Sequence, residues 1–366
     1  METPNGNEMP HGAGKPSLDP DALNKLLGQM VNDLGAAVNG ALVVLGDGLG
    51  IYTALADIGP ATSQGLAEKT NLNERQLREW LSAQAASGYI SYEAESETFF
   101  LTTEQTAVFA DPDSPAAMTG GFYGISSVYH DEPLIAESFR TGAGVPWGKH
   151  HTCLFCGTER FFRPGYQANI NENWIPALDG VKQKLNAGTR VADVGCGHGI
   201  STLLMAKGFP KSEFHGFDLH PASIEAANRH AEEQRLTNVH FSIAAAKDFP
   251  GRDYGFVTIF DALHDMGDPV GAVSHVRKTL QSDGTFMIVE PIAGDSLTEN
   301  MNPVGRVYYG FSTMICTPAS LSQEVGLALG AQAGERRMRE VLSKGGFTRF
   351  RRAAETPFNM ILEARP

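Results

Sequence analysis

No stretch of the 366 residues approaches the ~20 consecutive apolar residues that a membrane-spanning helix needs, so no membrane partner is expected. Cysteine is scarce. Cys153, Cys156, Cys196 and Cys316 are too few and too scattered for a disulfide framework, which points to a reducing, cytoplasmic setting. Excess positive charge is also missing: 29 Lys and Arg face 42 Asp and Glu, and the net charge of -13 disfavours a general affinity for nucleic acid or anionic lipid. The first twenty residues, METPNGNEMPHGAGKPSLDP, hold no apolar run and read as a disordered tail over 1–20, not as a secretory signal. Neither an internal repeat nor a low-complexity segment is present.

What is present is the composition of a folded chain, 42% apolar and 19% charged, at a length that divides naturally into two domains. Residues 21–112 read as a mostly α-helical first domain. Apolar residues recur at helical spacing over 22–58, with a break near Gly46–Gly50. Thr62 and Ser63 can cap a short helix, SQGLAEKT; Asn71-Leu72-Asn73 makes a turn; ERQLREWLSAQAASG predicts a second helix ending at Gly88. Two strand-like pieces follow, Tyr89–Glu93 and Thr98–Thr102. Helix, helix and a two-stranded wing is the order of a winged helix-turn-helix. Residues 113–178 are rich in Gly, Pro and aromatics without clean periodicity, and too long for a bare loop. They predict a helical and irregular connector that lines a pocket.

From 179 to 366 strands alternate with amphipathic stretches. The predicted strands are Arg190–Val194, Glu213–Asp218, Val239–Ala244, Phe256–Asp261 and Gly284–Val289, and Pro269–Leu280 places Val270, Val273, Val276 and Leu280 on one side of a helix. KGGFTRFRR and PFNMILEARP add a closing pair. The reading is α/β, a Rossmann-like doubly wound sheet of seven strands.

Chemistry concentrates at the ends of these strands. Arg190-Val-Ala-Asp-Val-Gly-Cys-Gly-His-Gly199 is an apolar strand ending at Asp193, then a turn in which Gly195, Gly197 and Gly199 alternate, then a helix. Glycines let backbone bend sharply and approach a ligand, and the helix start presents free N–H groups. The spacing G-x-G-x-G differs from the dinucleotide fingerprint. The next strand, EFHGFD, ends in Asp218, 23 residues after Gly195, where a carboxylate can accept both ribose hydroxyls of an adenosine moiety. After the third strand, Ala244-Ala245-Ala246-Lys247-Asp248 offers small residues against which an adenine ring can lie, and Asp261 closes the fourth strand.

VADVGCGHG, the Phe217-Asp218 strand end and the alternating half around them resemble a class I S-adenosylmethionine-dependent methyltransferase. The resemblance implies S-adenosylmethionine as cofactor. The loop of Asp193, Gly195, Cys196, Gly197 and Gly199 is implied to hold its methionine part, Asp218 and Leu219 its ribose, Ala245 and Ala246 its adenine, with Asp261 beside the methionine end. Many members carry an acid near Ala245; its absence leaves the adenine to backbone or to Asp248.

The fourth strand runs into Leu263-His-Asp-Met-Gly-Asp-Pro269, placing His264 at the carboxyl edge of the sheet, where such folds bind ligands. An acceptor hydroxyl must lose a proton during methylation, and a neutral histidine is suited to take it near pH 7. This segment resembles the L-H-D-W-x-D stretch of the small-molecule O-methyltransferases that include the plant phenolic and hydroxyindole enzymes, in which the matching histidine is the base and a glutamate orients it. Here those places are held by His264 and Glu290. The same group carries an N-terminal winged-helix dimerisation domain, similar to residues 21–112, so a homodimer through that domain is implied. Met266 in place of their Trp, and the stretch STMICTPASLSQEVGLALGAQAGE, depart from the plant enzymes; a bacterial branch of winged-helix methyltransferases is closer.

The expected function is therefore methyl transfer to a small organic acceptor, at oxygen, with transfer to nitrogen or carbon as the alternative. A winged-helix DNA-binding regulator sensing S-adenosylmethionine is the reading from another class. Residues 21–110 hold eleven acids and four Lys or Arg, a local charge of -7 that argues against a nucleic-acid partner. His150-His151-Thr-Cys153-Leu-Phe-Cys156 lacks the second ligand pair of structural zinc sites, so no metal is expected. Trp147, Phe162, Tyr166, Tyr308, Tyr309 and Phe311, with Phe122, Tyr123 and Phe161, are candidates for an apolar acceptor pocket or for ordinary core. Cys196 and Cys316 read as inert packing residues.

Overall fold

The computed structural model describes residues 18–366, so the tail expected over 1–20 lies almost wholly outside the described residues. Asp19 starts the first helix, α1 (Pro20–Gly48), by accepting the N–H groups of Asp21 and Ala22. At 1.5 Å per residue its 29 residues make a rod of about 44 Å. The chain then turns at Gly50, φ 68°, and α2 (Ile51–Ile58) leaves at 67° to α1. Thr62 and Asn73 cap α3 (Ser63–Thr70) and α4 (Glu74–Ala86) through the N–H groups of Gly65 and Gln76. The wing is β1 (Ser91–Glu93) against β2 (Thr98–Phe100), extended by a bridge from Ala61 to Phe99. Leu55, Leu66, Leu77, Trp80 and Leu81 form its core. Trp80 packs so tightly on α1 that a Cβ at Gly46 would come within 2.2 Å of its ring.

A capping box at Thr102 and Gln105 opens α5 (Thr103–Phe109). The connector beyond it, expected as helical and irregular, is mostly helical. It consists of α6 (Thr119–Thr141) and α7 (Cys153–Asn169), the latter running through a π turn at Ile170–Trp174 into α8 (Ile175–Ala177), followed by α9 (Val181–Ala187). The glycines that blur the periodicity are helix-packing positions. A Cβ on Gly157 would lie 2.5 Å from the backbone nitrogen of Gly124, and one on Gly120 2.5 Å from the backbone of Arg160. Main chain meets main chain there, so α6 and α7 form a close hairpin.

The second half alternates as expected: β3 (Arg190–Val194), α10 (Ile200–Gly208), β4 (Glu213–Asp218), α11 (Pro221–Glu233), β5 (Val239–Ile243), β6 (Tyr254–Phe260), α12 (Pro269–Thr279) and β7 (Leu280–Pro291). After α13 (Pro303–Phe311), α14 (Thr317–Leu321) and α15 (Gly334–Lys344), the chain closes with β8 (Arg349–Glu355) and β9 (Asn359–Arg365). The seven-stranded sheet has the order β5-β4-β3-β6-β7-β9-β8, parallel from β5 to β7, with β9 antiparallel to both neighbours. Every residue of β6 is buried, because helices cover both faces, and such strands read as unbroken apolar runs. Val273 and Val276 of α12 join Met338, Val341 and Leu342 of α15 on one face; Leu203, Met205, Phe209 and Trp174 fill the other. Strand order reverses between β3 and β6, and a crevice opens at their carboxyl ends, the position where doubly wound sheets take ligands. Among the described residues no single helix is long and apolar enough to cross a membrane.

Candidate active site

The crevice is walled first by the turn after β3. Asp193 is buried, with Ser201 and Thr202 hydroxyls donating to one carboxylate oxygen at 2.7 and 2.6 Å and Thr258 donating to the other at 2.8 Å. These bonds tie the turn to α10 and β6, although burial still pushes the Asp193 carboxyl above its ordinary value. Gly195 and Gly197 take φ 74° and 53°, in the left-handed region that favours glycine. A side chain on Gly195 would press on Ala262 at 3.0 Å, while the space over Gly197 is open. The Gly195 and Cys196 N–H groups donate to the Phe217 carbonyl at 2.7 and 3.0 Å, which brings the turn beside the end of β4.

There the Asp218 carboxylate accepts Gly197 N–H at 2.9 Å through one oxygen and His220 N–H at 2.8 Å through the other. Each oxygen keeps a lone pair, so the group is oriented yet able to accept two further hydrogen bonds. Burial raises its pKa, against the two backbone donors. The cavity holds about 710 Å³, within the range of small-molecule sites. Gly195, Cys196, Gly197, Asp218 and Leu219 line it, as do Ala245, Ala246 and Asp261. Asp193 and Gly199, which the resemblance placed in the same set, stand behind the wall: Asp193 braces the turn, and Gly199 starts α10 against Phe241 and Ala227.

Asp261 leaves β6 with φ 46°. Its carboxylate accepts Tyr166 Oη at 2.6 Å and Asn359 Nδ2 at 2.8 Å, and burial pushes it up to about 8. A single turn later, Glu290 of β7 organises the next segment with both oxygens. One accepts Leu263 N–H at 3.0 Å; the other lies 2.7 Å from Nδ1 of His264. Both side chains are almost fully buried. His264 Nε2 lies 3.1 Å from Oδ1 of Asp265 without hydrogen-bond alignment, and that buried oxygen has no hydrogen-bond partner among the described residues. Cys316, after α13, brings its Sγ within 4.8 Å of both. Burial pulls the imidazole pKa down, but Asp265 and Glu290 outweigh it and hold His264 well above its ordinary value. Sequence alone predicts a neutral imidazole; in the fold two carboxyl groups flank it and favour its charged form. Burial beside Asp265 pushes the Cys316 thiol up to about 12, which keeps it a thiol.

The connector lines the cavity as the sequence reading expected, and adds Phe155 and Glu159, which that reading did not single out. Trp147, Phe155, Glu159, Phe162, Arg163 and Tyr166 come from it to the cavity wall. Glu159 holds Nδ1 of His198 at 2.6 Å and so joins α7 to the glycine turn, and Phe155 stacks on His220 at 4.8 Å between centroids. Asp268 also faces the cavity; Asp248 is exposed and does not line it. Asp268 was legible as the residue before Pro269 at a helix start, where it accepts Gly271 N–H. Of the other aromatics, Tyr308 and Phe311 belong to a separate apolar cluster with Leu154 and Cys316, and Phe122 packs on the winged-helix core. The His150–Cys156 segment does not converge: Cys156 is exposed, whereas His150 turns inward to Asp131.

This architecture has known counterparts. Residues 185–346 match the family model of a methyltransferase domain, and residues 37–110 that of an Rv2258c-like winged HTH domain. The chain is similar to the mitomycin 7-O-methyltransferase structure (TM-score 0.67, 17% identity, covering 94% of this chain and 100% of that one). It is similar also to human N-acetylserotonin methyltransferase, solved with S-adenosylmethionine (TM-score 0.65, 17% identity, 96% and 99% covered). Among curated sequences, a ubiquinone biosynthesis O-methyltransferase of Actinobacillus pleuropneumoniae is 30% identical over 118 residues, 30% of this chain and 49% of the relative. The chain spans about half the length of the curated relatives it matches. The protein is built as an N-terminal winged helix-turn-helix domain joined by a helical hairpin to a Rossmann-like methyltransferase domain.

Proposed function

We propose that this chain is an S-adenosylmethionine-dependent methyltransferase that methylates a hydroxyl of a small organic acceptor, with His264 as general base. The observation that carries the reading is the pairing of two features at one sheet edge. A cavity lined by Gly195, Gly197 and the oriented Asp218 carboxylate stands beside a histidine whose Nδ1 is held by buried Glu290.

The residues fit the cofactor. Asp218 has a free lone pair on each oxygen for a vicinal diol, Ala245 and Ala246 leave a flat apolar wall for a base, and Asp261 supplies an acidic group at the far end. When bound, the cofactor supplies an electrophilic methyl group on a sulfonium. The chain supplies the rest. Once its resting proton has left, His264 accepts the acceptor proton at Nε2; Glu290 fixes the tautomer and stabilises the imidazolium that forms. Trp147, Phe155 and Phe162 line the same cavity with apolar rings.

The N-terminal domain serves dimerisation in this reading. α1 exposes Leu23, Leu26, Leu27, Met30, Val31, Leu34 and Val38, an apolar face that a second copy of the helix would cover. In α4, Arg75 pairs with Glu79 and Arg78 with Glu74, which leaves little free positive charge for phosphates.

Calorimetric titration of S-adenosylhomocysteine into the wild type and Asp218→Ala tests the cofactor site. Losing hydrogen bonds to a charged group costs about 1.5–3 kcal/mol each, so the variant is expected to bind at least ~10-fold more weakly. Equal affinities would remove Asp218 from the site. A screen of phenols with S-adenosylmethionine then tests the acceptor class, and His264→Ala is expected to keep cofactor affinity while losing most turnover.

A further inference from the structure

Past β5 the cavity wall consists of Ala244, Ala245 and Ala246. Such a wall holds the face of a purine but cannot tell an amino group from a carbonyl on its edge. That distinction needs a polar group with a free acceptor or donor. The polar side chains that share this end of the cavity are Lys247, Asp268, Ser322, Gln323 and Glu324.

Four of them are already engaged. Lys247 and Glu324 form an ion pair, and the Glu324 side chain is 78% exposed, where water competes for it. Gln323 uses both ends of its amide: Oε1 accepts Gly267 N–H at 2.9 Å, and Nε2 donates to the Asp265 and Ala319 carbonyls at 2.9 and 3.0 Å. The Ser322 hydroxyl donates to the Ala319 carbonyl at 2.8 Å.

Asp268 differs. It is half-buried at the start of α12, and one carboxylate oxygen accepts Gly271 N–H at 2.8 Å, which fixes the group. Its other oxygen, Oδ2, accepts no hydrogen bond among the described residues. A Cβ at Gly271 would collide with Oδ2, so the glycine makes room for this orientation. Lys247 is close enough to sense the Asp268 charge, yet bonds to Glu324 instead. Met266, two residues before Asp268, lines the cavity and packs with Ala244 and Ala246 on one apolar cluster. The apolar wall and the free carboxylate oxygen therefore stand at the same end of the cavity.

We infer that Asp268 makes the cofactor site specific for adenine: with the base against Ala245 and Ala246, Oδ2 accepts a hydrogen from its exocyclic amino group. A carboxylate only accepts, so a purine with a carbonyl at that position would set acceptor against acceptor. The inference rests on the methyltransferase reading and deepens it at the same site. It also supplies the acid missing at Ala245, since Asp248 is exposed and lies outside the cavity.

The test is calorimetric titration of the full chain with S-adenosylhomocysteine and with S-inosylhomocysteine, in which a ring carbonyl replaces the amino group. The wild type is expected to bind the adenosyl compound at least ~10-fold more tightly, the loss that follows when a hydrogen bond to a charged group goes unmade. Asp268→Asn keeps an oxygen to cap α12, asparagine being as good a cap, and turns the other atom into a donor. It is expected to weaken the adenosyl compound and tighten the inosyl one, so that the preference falls by ~10-fold or reverses. Asp268→Ser also keeps a cap, offers no carboxylate, and is expected to bind the two compounds alike; it carries the test if Asp268→Asn does not fold. A change that only loosened α12 would weaken both compounds and leave their ratio in place. Equal affinities in the wild type, or a preference that survives in both variants, overturn the inference, while binding of S-adenosylhomocysteine leaves the cofactor reading standing. A wild-type chain that binds neither compound overturns both.

Discussion

Replacing Asp265 by Asn should make the enzyme work at lower pH. In the resting site His264 is held above its ordinary 6.5 because Asp265 and Glu290 outweigh desolvation. Other titratable groups face it too: Cys316 from the π turn at Ser312–Cys316 and Asp261 from the end of β6. Asp265 is the carboxylate nearest Nε2, at 3.1 Å. Coulomb's law with an effective dielectric constant near 20 puts a ceiling of roughly 5 kcal/mol on that pair. An adjacent opposite charge moves pKa values by about 1–3 units in practice. Asparagine keeps the shape and removes the charge, and Glu290 still supports the ring, so a fall of about one to two units is the expectation.

The sign follows from the role. A base works deprotonated, so kcat/KM rises with pH through the pKa of His264 in the free enzyme. In the wild type this limb should lie above 6.5, the ordinary histidine value. In Asp265→Asn it should move down, and a one-unit shift raises relative kcat/KM on the acid side by up to about tenfold. The assay is the release of S-adenosylhomocysteine with a phenol from the screen, from pH 5.5 to about 9, within the range where histidine titration is visible. Each profile is normalised to its own plateau, because Asp265 also lines the cavity and its loss can lower the plateau. A limb that stays in place, or moves up, refutes the claim that Asp265 holds the resting proton on His264.

Thr258→Val removes the hydroxyl that donates to one oxygen of buried Asp193, and should cost about 1–3 kcal/mol in urea unfolding with little change in denaturant slope. Gly157→Ala places a methyl 2.5 Å from backbone nitrogen in the α6–α7 hairpin and should destabilise by about 1–3 kcal/mol, seen as a lower midpoint by circular dichroism. Leu27→Glu with Leu34→Glu puts charges on the exposed apolar face of α1; light scattering should show a dimer in the wild type and a monomer in the variant. Asp261, raised to about 8, favours the folded state below the unfolded carboxyl pKa and loses that contribution as pH rises to 8. Asp261→Asn should therefore flatten stability between about pH 4 and pH 8 in chemical denaturation without ligand.

The sheet and the cofactor side of the site were legible because their determinants are local. Caps at Thr62 and Asn73, a glycine turn directly after an apolar strand, and an acid one strand later each declare themselves within a short window. Glu290, 26 residues from His264, was named only through the family resemblance; in the fold the ends of adjacent parallel strands bring the two together. The connector resisted the same reading. Gly120, Gly124 and Gly157 have the composition of a loop, yet they serve backbone contact between two helices, a property of the pair that no single segment displays. The upward pull on the His264 pKa was hidden for a related reason: Asp265 is its neighbour in any conformation, but only the turn decides whether its carboxylate faces Nε2. Asp131 of α6 and His150, in the link before α7, stand 19 residues apart and meet only because the hairpin closes. The wall that α7 adds to the cavity is thus written in contacts between helices, which only the folded pair displays.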